Sequence, residues 1–418
     1  MTEMSLSEEL QWRGFVNQTT ITDLTILDRD KPAFYHGFDA SADSLTVGNL
    51  AGTMFDKVFM RHGCKAVILA GGATSLIGDP GGKVSERQLQ DEETISNNVS
   101  KVASQLTKIY AGHDFTLVNN LDWTKDLSVL HFLRDIGKHF SMTPLVQRDF
   151  IARRLGEDGS GISYTEFSYT LLQGLDFQHL YDKYGVTLQI GSSDQWGNCL
   201  SGIDLIRRTR NAEVHVLTQP LVINKATGVK FGKSEGGAVW LDTAKTSPTQ
   251  FYQFWVNIDD GEVEGHLKVY TELGRQEIEE IMSTHKLDPK KRYAQKRLAQ
   301  EVTKIVHGDE QMHVAEQLTR VLINEISVGD MTELEIDEMR NELSSTKAEV
   351  GNSLVDVIVR CGLASSNSEA RQLINNNAIY INNKAIVNQI IQNTDFQNGR
   401  LLIRKGKVFK NTALVELS

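Results

Sequence analysis

The sequence predicts an α/β protein: a parallel sheet with helices on both faces, then an α-helical domain, then a small α/β module at the C-terminus. Two patterns and one charge asymmetry lead there. Through the first half of the 418 residues, short apolar runs of strand length alternate with longer segments of helical periodicity. That order lays strands side by side and folds each connecting helix back over the sheet. From Ser247 to about Glu325 the pattern is helical and rich in charge. The chain carries a formal charge of −10, yet from Asn352 to Ser418 eight basic residues (Arg360, Arg371, Lys384, Arg400, Arg404, Lys405, Lys407, Lys410) face four acidic ones (Asp356, Glu369, Asp395, Glu416). A basic end on an acidic body suits local contact with nucleic acid.

In chain order, strands are expected at Ala33 to Phe38, Ala66 to Ala70, Phe115 to Val118 and Val186 to Ile190, with a further strand-like run at Leu221 to Ile223. Helices are expected at Val47 to His62, Glu92 to Tyr110 and Tyr164 to Tyr181. Ligands of such sheets bind beyond the carboxyl ends of the strands. Asp288 before Pro289 reads as an N-cap with proline at the first helical position. Lys290, Lys291, Arg292, Lys296 and Arg297 make the helix they start basic, either as a solvated face or as an RNA contact. Ser327 to Gly351 is acidic and polar, with little apolar content after Met331, and reads as a partly helical connector. The expected division is 1–246, a sheet domain with an insert near 120–165; 247–325, helical; 326–351, linker; and 352–418, the C-terminal module.

With 40% hydrophobic and 23% charged residues, the composition is that of an ordinary soluble protein. No apolar run approaches the roughly 20 residues a membrane span needs. Met1-Thr2-Glu3-Met4-Ser5 lacks the basic-then-apolar pattern of a signal peptide. Cys64, Cys199 and Cys361 are widely separated and have no metal-ligand spacing. The expectation is a cytoplasmic protein without disulfides, membrane partner or protein-bound metal.

Tyr169, Gln173 and Asp176 fall four and three residues apart, among Phe167, Leu171, Leu172 and Leu175. On a helix they share one face, and a buried face must give them partners. A small polar ligand would do so; water on an open face is the alternative. Gly191-Ser192-Ser193-Asp194-Gln195-Trp196-Gly197-Asn198 follows closely. Three loops could handle phosphate. Lys230-Phe231-Gly232-Lys233-Ser234 sets two cations around a glycine, but Gly228 stands one residue too close to Gly232 for a Walker-type loop. Tyr35 to Asn49 leads from a strand through a polar loop into a helix starting near Thr46, whose free N–H groups suit phosphate, although Ser44 or Thr46 could simply cap that helix. Gly71 to Lys83 has glycines too irregular for a dinucleotide fingerprint, which removes the main support for a dehydrogenase.

In this order the segments closely resemble the bacterial tyrosyl-tRNA synthetases, class I aminoacyl-tRNA synthetases, over essentially the whole chain. The most specific elements are the Tyr-Gln-Asp helix, the Gly191–Asn198 loop and Lys230–Ser234, the family's version of the class I KMSKS loop. The resemblance implies a Rossmann-like catalytic domain, an anticodon-side helical domain and a C-terminal RNA-binding module. It implies that L-tyrosine and ATP form tyrosyl-adenylate and pyrophosphate, with Mg²⁺ on the ATP phosphates, and that the tyrosyl group passes to the 3′ end of tRNA(Tyr). Tyr35 and Asp176 would recognise the phenol; Asp79, Tyr169 and Gln173 the α-ammonium; Gln195 would lie near the carboxylate. Asp194 would bind the ribose, helped by the backbone near Ser192. Asp39, Ser41, Thr46, Gly48 and Asn49 would face the adenylate and phosphates, and Lys83, Arg87, Lys230, Lys233 and Ser234 the departing pyrophosphate. Arg371, Arg404, Lys405 and Lys407 would contact tRNA, with Arg207, Arg208 and Arg210 as acceptor-stem candidates or structural ion pairs. The family's homodimers form around the insert.

The chain departs from the family pattern in several places. His-Ile-Gly-His is replaced by Thr46-Val47-Gly48-Asn49, Ser192 stands where glycine is usual, and His36 where a small residue or cysteine is common. Asparagine still donates a hydrogen bond; threonine is shorter than histidine and carries no charge. Leu354 to Asn382 resembles a small RNA-binding module first described in a ribosomal protein, here with Asn375-Asn376-Asn377 at its turn. Tryptophanyl-tRNA synthetase is the nearest rival, disfavoured by Tyr35 with Asp176. A non-catalytic RNA-binding paralogue is the other, disfavoured by Lys230, Lys233, Asp194 and Gln195.

Overall fold

The computed structural model describes residues 4–79, 81, 88–146, 149–156, 159–224, 228–234, 237–386, 389–406 and 411–418. The chain divides into two compact units, Met1–Lys245 with Gly261–Met282, and Thr246–Asp260 with Ser283–Ser418. The stretch 247–325, expected as one helical domain, is thus shared between them.

The first unit is built on β1 (Gln18–Thr19), β2 (Phe34–Asp39), β3 (Ala66–Gly71), β4 (Phe115–Asn119), β5 (Leu188–Ser192) and β6 (His215–Gln219), in the spatial order β1-β6-β5-β2-β3-β4. All neighbours are parallel except β1, which closes one edge antiparallel to β6. β3 is buried at every position, as a strand covered by helices on both faces must be. The order reverses between β2 and β5. Chain connections leave these two strands in opposite directions, which opens a crevice beyond their carboxyl ends. The expected strand at Leu221–Ile223 is not formed. Among the described residues it makes an isolated bridge from Ile223 to Lys230, and the strand is the run just before it, His215–Gln219.

The second unit packs the helices Pro248–Val256, Tyr293–His307 and Asp309–Leu322 together and carries a five-stranded sheet. Ser247 caps the first helix, accepting from Gln250 N at 3.2 Å, with Pro248 in its first turn. Asp288 does not cap as expected. Its side chain makes no cap bond, Pro289–Lys291 is a single 3-10 turn, and Arg292 at φ 52° separates it from the Tyr293–His307 helix. The basic face is largely spoken for: Arg292 donates to the carbonyls of Val256 and Ile258, while Lys296 pairs with Glu325 and Arg297 with Glu301.

The connector is corrected too. It holds the Glu333–Glu342 helix, capped by Thr332, and β9 (Ser344–Ala348). With β10 (Ile379–Ile381), β11 (Lys384–Ala385), β12 (Arg400–Lys405) and β13 (Thr412–Leu417) it forms the sheet β11-β10-β12-β13-β9, in which β9 runs parallel to β13. The helices Leu354–Arg360 and Asn367–Asn375 cover one face through Leu354, Val357, Ile358, Ala370 and Ile374. Ile336 and Met339 of the connector helix pack with Leu402 and Leu414.

Candidate active site

The crevice between β2 and β5 is a cleft of about 370 Å³. Tyr35, Asp39, Ser41, Thr46, Gly48, Asn49, Asp79, Tyr169, Gln173, Asp176, Ser192, Asp194, Gln195 and Lys230 all line it. These side chains come from β2, β5, the Val47–Arg61 and Tyr164–Tyr184 helices and three loops, so residues far apart in sequence converge on one space. A second hollow of about 500 Å³ shares Asp39, Ser41, Thr46 and Asn49 with it and extends to Gln88 and Trp240. Lys83 and Arg87 lie outside the described residues, as does Lys407.

The Tyr164–Tyr184 helix supplies the deep wall. Ser163 accepts from Glu166 N at its start, and Gly185 at φ 69° ends it one turn beyond the expected boundary. Gly185 is at a left-handed position, where glycine alone adopts φ > 0 without strain. Asp176 is 1% exposed and accepts from Asn120 Nδ2 and Trp123 Nε1, each at 2.9 Å. Burial pushes its carboxyl up to about 7, against the pull of those two donors and with a contribution from the charge of Asp39. Beside it the Tyr35 hydroxyl is buried with no hydrogen-bond partner among the described residues, and burial drives this phenol well above its usual range. Gln173 Oε1 and Gln189 Oε1, also facing the cleft, are unpartnered in the same sense. Buried polar groups left like this carry a cost that a ligand's hydroxyl or ammonium can remove.

Toward the mouth, Asp39 accepts from Tyr169 Oη and Thr74 Oγ1, both at 2.8 Å. Gln195 Nε2 donates to Asp79 Oδ2 at 2.7 Å, and Asn198 Nδ2 holds Gln195 Oε1 at 3.1 Å. The expected grouping of Asp79 with Tyr169 and Gln173 is therefore redistributed: Tyr169 pairs with Asp39, and Asp79 with Gln195. Burial, then the charges of Asp39 and Asp79, raise the Tyr169 phenol and keep it a donor. Asp39, Asp79 and Asp176 all bear on the Tyr169 phenol, and carboxylates gathered there favour a cationic group in the ligand.

At the outer end, Lys230 Nζ lies 2.7 Å from Asp194 Oδ2, and Ser192 Oγ donates to Asp194 Oδ1 at 2.6 Å. Phe231 is buried and stacks on His266 at 4.3 Å, which anchors the loop while its neighbour Lys230 stays half exposed. Gly232, at φ 81°, rides over Val47, where an added Cβ would come within 3.1 Å of Val47 Cβ. Lys233 and Ser234 follow in β7 (Lys233–Ser234), paired with β8 (Gly237–Ala238). Asp43 pairs with both Lys245 and Lys101, which hold its carboxyl down at about 2, and Ser44 Oγ accepts from Gln105 Nε2 and Asp242 N. The loop before Thr46 is thus fixed from several sides.

The third loop behaves differently from a phosphate site. The first N–H groups of its short Gly72–Ile77 helix are taken by side chains, Gly72 N by Asn119 and Ala73 N by Asn120. A Cβ on Gly71 would sit 2.3 Å from Thr74 Oγ1, so this glycine serves close packing. Asn120, Trp123 and Thr74 were not singled out in the sequence. The signal for Asn120 was available, since it directly follows the carboxyl end of β4. His36 was noted only as a departure. Its Nδ1 bonds Asp56 Oδ1 at 2.8 Å, and the fully buried Asp56 also accepts from Tyr110. Arg207 and Arg210 pair with Asp204 and Asp182, while Arg208 is exposed. In the second unit Arg371 is exposed, whereas Arg404 donates to Leu322 O and lies over the Tyr380 ring, and Lys405 pairs with Glu369 at 2.9 Å. Among the described residues no group of three His, Cys, Asp or Glu is placed to hold a metal ion.

Residues 27–323 match the family model of class I tRNA synthetases (W and Y), and residues 335–415 that of the tyrosine–tRNA ligase SYY-like C-terminal domain. The chain is similar to tyrosine–tRNA ligase 2 of Bacillus cereus, with 42% identity covering 99% of this chain and 100% of that protein. It is 43% identical to tyrosine–tRNA ligase of Bacillus caldotenax over 97% of this chain and 98% of the relative. Among solved structures, a C-terminally truncated mitochondrial tyrosyl-tRNA synthetase of Aspergillus nidulans superposes with a TM-score of 0.69 at 30% identity, covering 76% of this chain and 94% of that one.

Proposed function

This chain belongs to the class I tRNA synthetases and, within them, to the tyrosine–tRNA ligases, and from that premise we propose how its cleft makes tyrosyl-tRNA. The enzyme activates L-tyrosine with ATP, as its magnesium complex, to tyrosyl-adenylate and pyrophosphate, then transfers the tyrosyl group to tRNA(Tyr). The observation that carries the residue assignment is Asp176, a carboxylate buried at the deep end of the cleft beside the Tyr35 hydroxyl, which has no partner among the described residues. A phenol placed there donates to Asp176 and accepts from Tyr35, which satisfies both. A phenyl ring satisfies neither, at about 1–3 kcal/mol for each buried group left unpaired. Indole has one donor, no acceptor and a larger outline.

The ammonium sits among Asp79, Tyr169 and Gln173, where Asp39 adds negative charge, and Gln195 lies by the carboxylate. One carboxylate oxygen attacks the α-phosphorus, the bond to the bridging oxygen breaks, and pyrophosphate leaves with that electron pair. No protein nucleophile is needed. The protein orients the two substrates and stabilises charge on the phosphates. Asp194 takes the ribose, helped by Ser192; its present partner Lys230 turns to the phosphates with Lys83, Arg87, Lys233 and Ser234. Asp39, Ser41 and the Thr46–Asn49 turn border the adenylate. The second unit holds tRNA, with Arg371 the most available of the assigned cations among the described residues.

A homodimer fits the insert, which exposes Val129 at 72% and Leu130 at 79% together with Leu133, Met142 and Leu155. Exposed apolar side chains gathered in one stretch of chain support an interface between two copies. A cytoplasmic location accords with three buried free thiols. ATP–pyrophosphate exchange with tyrosine, tryptophan and phenylalanine tests the reaction. Exchange with tyrosine alone is expected; exchange led by tryptophan, or none with any of the three, would overturn the assignment. Sedimentation of Leu130→Asp should show monomers where the parent shows dimers.

A further inference from the structure

The cleft-facing turn Thr46–Asn49 opens the Val47–Arg61 helix, and its two polar side chains are bonded to each other as that helix's capping box. Thr46 N donates to Asn49 Oδ1 at 2.9 Å, and Thr46 Oγ1 donates to the same oxygen at 2.8 Å. A backbone N–H can only donate, so Asn49 must present its oxygen here; flipping the amide would set N–H against N–H. Both lone pairs of that oxygen are occupied. The single proton of the Thr46 hydroxyl is spent on it as well, which leaves Thr46 only lone pairs. Nucleotide phosphate and ribose ring oxygens offer only lone pairs too, so Thr46 has nothing to give them. Asn49 Nδ2 keeps two N–H donors, and no hydrogen bond among the described residues engages them. Asn49 lines both the cleft and the adjoining hollow, half-buried.

On the reading that this cleft binds ATP, we propose that Thr46 is a positioning residue that fixes the Asn49 amide, and that Asn49 is the one of the two that donates to the nucleotide. The pair works as a unit: Thr46 acts through Asn49, and a donor that costs nothing to orient at the moment of reaction is what stabilises developing charge. Replacing Asn49 removes the function of both, whereas replacing Thr46 loosens the amide and leaves its donors in place.

A double-mutant cycle tests this on the full chain. Asn49→Ala should lower the exchange rate about a hundredfold. Thr46→Val, which loses the hydroxyl but keeps the branched shape and the backbone bond, should lower it about fivefold. In the Asn49→Ala background Thr46→Val should cost nothing further. Thr46→Ser should restore most of what Thr46→Val loses, and the losses should fall on kcat more than on KM for tyrosine. Asn49→Asp keeps the acceptor for Thr46 but removes the donor, and should be as impaired as Asn49→Ala with an unchanged melting temperature. Independent, multiplying losses from the two positions would overturn the proposal, because they would mean that Thr46 meets the nucleotide directly. The same cycle read on the dissociation constant of magnesium-ATP does not depend on turnover. If the parent chain fails to exchange with tyrosine, the catalytic reading falls, while coupled or independent losses in ATP binding still decide the role of Thr46.

Discussion

Asp176 sets the pH behaviour of the site, because its carboxyl is raised by burial to about 7. It is protonated below that value, and a protonated acid accepts the substrate's phenol proton less well. The value of kcat/KM for tyrosine should therefore fall as pH drops through about 7, and Asp176→Asn should abolish this acid limb along with most of the activity. Trp123 Nε1 holds the carboxylate down by donating to it, so Trp123→Phe should move the limb to higher pH. An unmoved limb in Trp123→Phe would mean that another group titrates. The stability effect has the opposite sign from that of a paired surface carboxylate. A group whose folded-state pKa is raised binds a proton that the unfolded chain releases, so its contribution is lost as pH rises through about 7. Thermal melts should show Asp176→Asn gaining more over the parent at pH 8 than at pH 5. The three polar groups Tyr169, Gln173 and Asp176 were legible as a stripe from their spacing alone. Their partners were not, because Asn120 and Trp123 reach Asp176 across more than fifty residues of chain, and no local pattern encodes such a contact.

Elements were legible where periodicity was long and turn residues were strong. The Val47–Arg61, Glu92–Ile109 and Tyr164–Tyr184 helices fall within a turn of expectation, and β2 to β5 within two residues. Failures came where short apolar runs or single residues had to decide. β6 holds just two apolar residues, Val216 and Leu217, over His215–Gln219, whereas the more apolar Leu221–Ile223 lies outside the ladder. At Asp288–Pro289 the cap signal was locally sound, but Arg292 overrides it. The Arg292 guanidinium bonds Val256 O at 2.9 Å and also Ile258 O, which closes the end of the Pro248–Val256 helix and holds Arg292 at φ 52°. Removing these donors takes this bond from Val256 O and leaves Ile258 O with Gln295 Nε2 at 3.3 Å, so Arg292→Ala should destabilise the second unit by about 1–2 kcal/mol in denaturant unfolding. Arg292→Gly loses the same bonds but relieves a left-handed backbone, which costs a non-glycine residue about 1 kcal/mol, and should fall between the two. If Arg292→Ala melts like the parent, the guanidinium is not what sets this break.

At the scale of the molecule, the parallel sheet of the first unit follows from alternation, while the strand order with its reversal between β2 and β5 does not, and the site lies where that reversal puts it. The second unit was harder to read because its sheet takes a strand from a stretch that looks like a linker. Ser344-Ser345-Thr346-Lys347-Ala348 has no apolar run. Yet it pairs parallel with Ala413 to Leu417 across five residues, and its only buried side chain is Ala348. A solvated edge strand needs little hydrophobicity of its own when its neighbour supplies the core. The Glu333–Glu342 helix just before it buries Ile336 and Met339 against Leu402 and Leu414 on the sheet face opposite the module's own helices. A fragment cut at 352 would therefore expose the edge of β13 together with Leu402 and Leu414, whereas one cut at 326 keeps both covers. The 326–418 fragment should unfold cooperatively, and 352–418 should melt lower, bind hydrophobic dye and associate through its bare edge. Equal melting temperatures for the two fragments would show that the stretch read as a linker behaves as one after all, with β9 adding nothing to the module it joins.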